Sequence, residues 1–409
     1  MKTPGKNQFL LAAGSCLLLQ MTPFAAQAKD IIHDAEHYIL EAQHGEKWAA
    51  EDKQLDQRLA ELHKKFGMPP NIIHIMWDDM AVGEVGIPEI QAVRGFKTPN
   101  INQMAEDGIN FMRMYTEPAC TPTRAAFQTG RYAVRNGMYT VSFPVEYSGM
   151  DGDEVTIAEV LSEAGYMTGF FGKWHLGDTE FSYAHNQGYD EAFFTPYNQV
   201  PSMWVPEAEA VNQITGMFPE LMGEDRYQMD ESHWPRGAVW TLEGTKGGKT
   251  YEWGPPPEIE NYWDAITESE KRTLAFIDKA VDEGKPFFIS HQPILTAFFP
   301  DARNPKKRTA NKNMLAERLE YLDDFVGDLQ QHLKDKGIAG NTLVIVQADN
   351  GPFIHYGPRG MVETLYKGGK GDFTEGGVRV PALATWPGVA FFQSRLKRPF
   401  TPAARFGPW

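Results

Sequence analysis

The chain has 409 residues, with 39 Lys+Arg against 54 Asp+Glu and a formal net charge of −15. Hydrophobic residues make up 42% of it and aromatics 12%, enough for a packed core, which excludes wholesale disorder. The acidic balance argues against a nucleic-acid or anionic-membrane binder, since both reward positive charge, and two cysteines can build neither a disulfide framework nor a Cys-rich zinc site.

Residues 1–28 read as an export signal, with Lys2 and Lys6 ahead of an apolar run from Phe9 to Leu19 and small residues at Ala26-Gln27-Ala28 for cleavage. An uncleaved anchor is the alternative, but the run is shorter than the roughly 20 apolar residues that cross a bilayer. No other segment could span a membrane, so an exported protein, periplasmic or secreted, is expected. Removal of the signal would leave Cys120 as its single cysteine. Residues 29–68 form a charged helical extension in which Leu55, Leu59, Leu62 and Phe66 line one stripe.

From Asn71 onward strands and helices alternate. Asn71 to Trp77 reads as a buried strand ending in Asp78-Asp79. Thr98-Pro99 opens a short helix, and Thr156 with Glu159 forms a capping box for a helix that stops at Gly165. A second capping box, Thr267 with Glu270, starts a helix running to Gly284, and the strand Pro286 to Ser290 follows. Leu315, Leu319, Leu322, Val326, Leu329 and Leu333 mark a helix that Gly337 terminates, and the strand Thr342 to Val346 leads to Asp349-Asn350. This alternation predicts an α/β fold: a mostly parallel sheet flanked by helices on both faces, with chemistry at the carboxyl ends of the strands. The predicted catalytic domain covers 69–390. Within it, 196–264 breaks the rhythm and holds five of the ten tryptophans, as a packed excursion or as an aromatic rim around a substrate pocket.

Three short motifs lead nowhere. His33-Asp34-Ala35-Glu36-His37 fits an inverted zinc-protease spacing but lies outside any packed α/β unit, without an evident third ligand. Gly248-Lys249-Thr250 ends like a phosphate loop, yet Glu243 stands where the first glycine is required. Gly368-Gly369-Lys370-Gly371 is no dinucleotide fingerprint.

Cys120-Thr121-Pro122-Thr123-Arg124, followed by Thr129-Gly130-Arg131, resembles the signature of the type I sulfatases of the alkaline phosphatase superfamily. Gly172-Lys173-Trp174-His175-Leu176-Gly177 resembles their second signature. Asp349-Asn350-Gly351, and Gly369-Lys370-Gly371 through Glu375-Gly376-Gly377-Val378-Arg379-Val380-Pro381, continue the likeness in family order over residues 70 to 390. The resemblance implies an arylsulfatase-like sulfuric ester hydrolase in which a maturation enzyme oxidises Cys120 to formylglycine. The two hydroxyls of its hydrate would let one attack sulfur and the other lose its proton to expel sulfate. It also implies calcium, with magnesium the runner-up, held by Asp78, Asp79, Asp349, Asn350 and the residue at Cys120. Arg124 would orient the hydrate, His175 would hold one of its hydroxyls, and Lys173 and Lys370 would clamp the sulfate ester or protonate its leaving group. Taken alone, Asp78-Asp79 could cap the next element and Asp349-Asn350-Gly351 could be a plain turn.

One position departs from the family pattern. Sulfatases commonly carry a further histidine in a P-H-x-P stretch after the strand that Pro286-Phe287-Phe288-Ile289 resembles, and Ala297 stands there. His291 is the candidate catalytic substitute, or an ordinary half-buried histidine. The rival functions are a phosphonate monoester or phosphodiester hydrolase of the same superfamily, and a non-catalytic truncated remnant. The likeness ends near Gly388, so 391–409 reads as an atypical tail and the family's small C-terminal domain is expected to be missing.

Overall fold

The computed structural model describes residues 35–142, 148–197, 241–254, 259–293, 314–354 and 365–389. The expected signal at 1–28, the tail at 391–409, Ala297, His33-Asp34 and most of 196–264 lie outside the described residues. The chain divides into two units, Met1–Trp48 and Ala49–Trp409, and the sheet and site belong to the second. No helix among the described residues is long and apolar enough to cross a membrane.

Helix α1 (Ala35–Phe66) forms where the helical extension was expected, but its leucine stripe is not a core face. Leu62 is buried, whereas Leu55 and Leu59 are 58% and 48% exposed. The nine-stranded sheet comprises β1 (Asn71–Trp77), β2 (Ile109–Asn110), β4 (Met167–Lys173), β5 (Glu191–Thr195), β6 (Thr241–Thr245), β7 (Tyr251–Trp253), β8 (Phe287–Gln292), β9 (Thr342–Ala348) and β11 (Ala382–Thr385). Its order is β2-β11-β9-β1-β8-β4-β5-β6-β7. A small second sheet pairs β3 (Met114–Tyr115) with β10 (Arg379–Val380). The central run β9-β1-β8-β4-β5 is parallel throughout, and antiparallel strands close both edges. Gly248-Lys249-Thr250 lies in the β6–β7 hairpin connection, which removes the strand-to-helix setting that a phosphate loop needs.

Helices cover both faces, and the period-2 alternation of the strands assigns each side chain to one of them. Ile73, Ile75, Trp77, Phe171, Phe287 and Ile289 pack in one core with α3 (Pro99–Asp107), α6 (Ile259–Glu283) and α7 (Met314–Asp335). Phe170, Phe194 and Phe288 enter the opposite core with α4 (Cys120–Thr129) and α5 (Ile157–Glu163). The short helices α2 (Pro88–Arg94) and α8 (Glu375–Val378) lie in connections around the strand ends.

The capping box Thr156/Glu159 is present in full. Thr98 sits at the N-cap of α3 but gives no capping bond. Asp323 of α7 supplies it instead, accepting from Asn100 N–H at 3.1 Å and Ile101 N–H at 2.8 Å. The expected capping box at Thr267 and Glu270 does not form, because the amphipathic pattern extends upstream and α6 already begins at Ile259. Thr267 Oγ1 bonds the Asp264 carbonyl, and Glu270 accepts the Tyr321 hydroxyl at 2.8 Å, tying α6 to α7.

Two expectations follow from these helix contacts. Asp323→Ala should lower stability by about 1–2 kcal/mol in urea unfolding, the usual cost of a lost N-cap. Burial, reinforced by Asp328 and Asp324, pushes the Glu270 carboxyl from 4.5 up to about 8. The unfolded chain ionises this group first, so its contribution is complete below about pH 4.5 and is lost as pH rises toward 8. Glu270→Gln should therefore flatten the decline of unfolding free energy over that window.

Candidate active site

Parallel order brings distant residues to one edge. Strands β9, β1, β8 and β4 are neighbours, so Asp349-Asn350, Asp78-Asp79, Gln292 and Lys173 emerge side by side at their carboxyl ends. Helix α4 points its first turn at this edge, with Cys120 as its first residue and Arg124 one turn later on the same face. Pro122 suits that turn, where backbone N–H groups have no intrahelical acceptor. Gly172 lets β4 and β8 close: its φ is +123°, and a Cβ there would lie 1.7 Å from the Gln292 carbonyl oxygen.

Ligand atoms of Asp78, Asp79, Cys120 and Asp349, all buried, lie within 4.8 Å of one another. Lys173 Nζ donates to Asp78 Oδ1 at 2.5 Å, and Lys370 Nζ stands 2.7 Å from Asp79 Oδ1 and 2.8 Å from Cys120 Sγ. Asn350 Nδ2 donates to Asp79 Oδ1 at 2.6 Å. Arg124 is wholly buried and all five of its N–H groups are engaged. Nε and Nη2 grip Asp349 Oδ2 at 3.1 and 2.8 Å, and Nη2 also reaches Asp78 Oδ1 at 3.5 Å. Nη1 meets the Lys173 carbonyl at 2.8 Å and Gln292 Oε1. Asp79 and His175, with φ of +57° and +59°, are the non-glycine residues in the left-handed region among those described. Such strain concentrates where surroundings over-determine the backbone.

Electrostatics distinguish the groups. Burial alone would raise Asp78, but the charges of Lys173, Lys370 and Arg124 hold it well below the usual carboxylate range. Burial and the charge on Asp78 push Asp349 up to about 6. Burial, with Asp349 and Asp78, pushes the Cys120 thiol up to about 12, so no thiolate forms there at neutral pH. Burial opposes charge on Lys370, yet the carboxylates of Asp79, Asp78 and Asp349 carry it well above its ordinary value. His175 is held neutral by burial and by Lys173 and Arg124. Its Nε2 faces the Ser142 carbonyl at 3.0 Å, which assigns the proton to Nε2 and leaves Nδ1, buried and without a hydrogen-bond partner among the described residues, as an acceptor.

His291 is not brought into this group. It shares the parity of Phe287 and Ile289, so it points to the α6/α7 face, bonds Thr273 Oγ1 at 2.9 Å and packs its ring, tilted, against Phe325. Gln292, one residue on, takes the α4 face and meets Arg124. Sequence reasoning missed Gln292, Ser142 and Arg318, whose Nη2 donates to the Asp78 carbonyl at 2.9 Å. Strand parity was the available signal for Gln292; nothing in the local sequence marked the other two.

The Sulfatase family model matches residues 70–391. The chain belongs to the sulfatase family. Arylsulfatase A of Homo sapiens is 34% identical over 329 residues, covering 78% of this chain and 59% of the relative. N-acetylgalactosamine-6-sulfatase of Homo sapiens is 28% identical over 339 residues, 78% of this chain and 57% of that one. The crystal structure of the PsFucS1 sulfatase from Pseudoalteromonas sp. superposes with a TM-score of 0.73 at 32% identity, over 83% of this chain and 66% of that chain. The chain thus spans 59% of the length of arylsulfatase A.

Arg124 is the shared counter-charge of the carboxylates. Arg124→Met should destabilise the protein by about 3–5 kcal/mol in urea unfolding, the cost of leaving buried charge uncompensated.

Proposed function

We propose that this chain is a sulfuric ester hydrolase using a formylglycine made from Cys120 and a bound cation, calcium in preference to magnesium. The observation that carries the reading is the fully buried Cys120, its Sγ set among the carboxylates of Asp78, Asp79 and Asp349 and 2.8 Å from Lys370 Nζ, where burial disfavours a thiolate. A group so disfavoured as a thiolate makes chemical sense as a precursor rather than as a nucleophile.

The donor set fits a hard cation. Asp78 Oδ2 and Asn350 Oδ1 are buried oxygens with no hydrogen-bond partner among the described residues, beside the carboxylates of Asp79 and Asp349. Oxygen-only protein ligation of this kind suits calcium or magnesium. Asp78, Asp79, Asp349, Asn350 and the residue at 120 would hold the ion. Formylglycine would supply a hydrate with two hydroxyls, and the cation Lewis-acid polarisation of the oxygens beside it. Lys173 and Lys370 bring ammonium charge to where a sulfate would be neutralised. His175 offers Nδ1 as an acceptor for a hydroxyl at residue 120. Arg124, with every donor engaged, orients Asp349 and Asp78 rather than reaching substrate. The proposal includes export of the chain and a formylglycine-generating maturation enzyme as its partner.

The test is to co-express the full chain with a formylglycine-generating enzyme and assay aryl sulfate beside aryl phosphodiester. The peptide containing residue 120 should be lighter by about 18 Da. Aryl sulfate should be the preferred substrate, and Cys120→Ala should fold without turnover. Chelation should abolish activity and calcium should restore it. Full activity from the thiol form overturns the formylglycine reading, and preference for the phosphodiester transfers the site to the rival reaction.

A further inference from the structure

The peptide plane between Asp78 and Asp79 is gripped at both ends. Its carbonyl oxygen accepts from Arg318 Nη2 at 2.9 Å, and its N–H donates to Asp349 Oδ1 at 3.1 Å. The next N–H, of Met80, donates to the Asn350 carbonyl at 3.1 Å. The two carboxylates hang from the Cα atoms on either side of this plane, so its orientation sets where both of them point. Asp79 holds φ at +57°, a conformation that persists where neighbours fix it.

Arg318 comes from α7, 240 residues away along the chain, and is buried at 4% exposure. The proposed chemistry makes no direct use of it. Burial of a guanidinium behind a strand end is costly and calls for compensating charge. Glu84 provides some of it: the carboxylate is fully buried, accepts from Ala81 N–H and Arg94 Nη1 at 2.9 Å each, and feels the charge of Arg318.

We propose that Arg318 is a positioning residue of the cation site, fixing the Asp78–Asp79 peptide and with it both carboxylates. The inference rests on reading Asp78 and Asp79 as cation ligands. Arg318→Met removes the donor at similar length, and Arg318→Lys keeps charge without the planar fork. The experiment is calcium titration by calorimetry on the cation-free full chain of wild type and both variants, with urea unfolding recorded in parallel. Wild type should bind calcium, and a cooperatively folded Met variant should bind it about tenfold more weakly or worse, with the Lys variant between. In turnover, the defect should shrink at high calcium while KM for aryl sulfate stays unchanged. Calcium affinity within about twofold of wild type in the folded variants overturns the inference, whatever their stability. If the Met variant does not fold, the Lys variant decides by the same criterion. Wild type that binds no calcium overturns the reading of the site itself, and the inference with it.

Discussion

Three carboxylates buried within reach of one another repel, and the fold tolerates them because Arg124 lies between Asp349 and Asp78. In a low-dielectric interior that repulsion would exceed what packing returns, so the guanidinium is a condition of the site's existence. It also explains why Arg124 sits one helical turn after Cys120. The same turn that presents residue 120 delivers the charge that makes its acidic surroundings possible. Lys173 and Lys370 complete the balance, each bonded to a different carboxylate.

The sheet sets the rest. A run of parallel strands places every carboxyl end on one edge, so residues drawn from β1, β4, β8 and β9 meet without long loops. Close approach of those ends depends on missing side chains. Gly351 is the second such point, since a Cβ there would lie 1.8 Å from the Gly376 carbonyl oxygen. The glycine of Asp349-Asn350-Gly351 therefore brings the α8 segment, and Lys370 ahead of it, against the end of β9.

Much of this was legible in the sequence. The strand-helix alternation gave the parallel sheet, the ordered motifs named Cys120, Arg124, Lys173, His175, Asp349, Asn350 and Lys370, and the end of the strand Asn71 to Trp77 offered Asp78 and Asp79. What escaped depended on parity and on long-range partners. His291 and Gln292 are adjacent on β8, and only the face of the sheet decides which meets Arg124. Arg318 and Asp323 look like ordinary charges of an amphipathic helix until α7 is docked, when one reaches the Asp78 carbonyl and the other caps α3. Thr267 and Glu270 had the spacing of a helix start, but the stripe carrying Ala265 and Ile266 ran past them. Leu55 and Leu59 had helical spacing without a surface to cover.

The closure of the cluster over Cys120 has a consequence in time. Sγ is capped by Lys370, which follows it by 250 residues, and Asp349 also comes late in the chain. At synthesis rates of about 5–20 residues per second, that separation corresponds to roughly 10–50 s. Throughout that interval the thiol is attached to a chain that cannot yet enclose it. Afterwards it is sealed behind β9 and the Lys370 loop, with 0% of its surface exposed. Any agent that acts on Cys120 thus works against a clock set by the order of the strands, and slow assembly of a parallel sheet lengthens its opportunity.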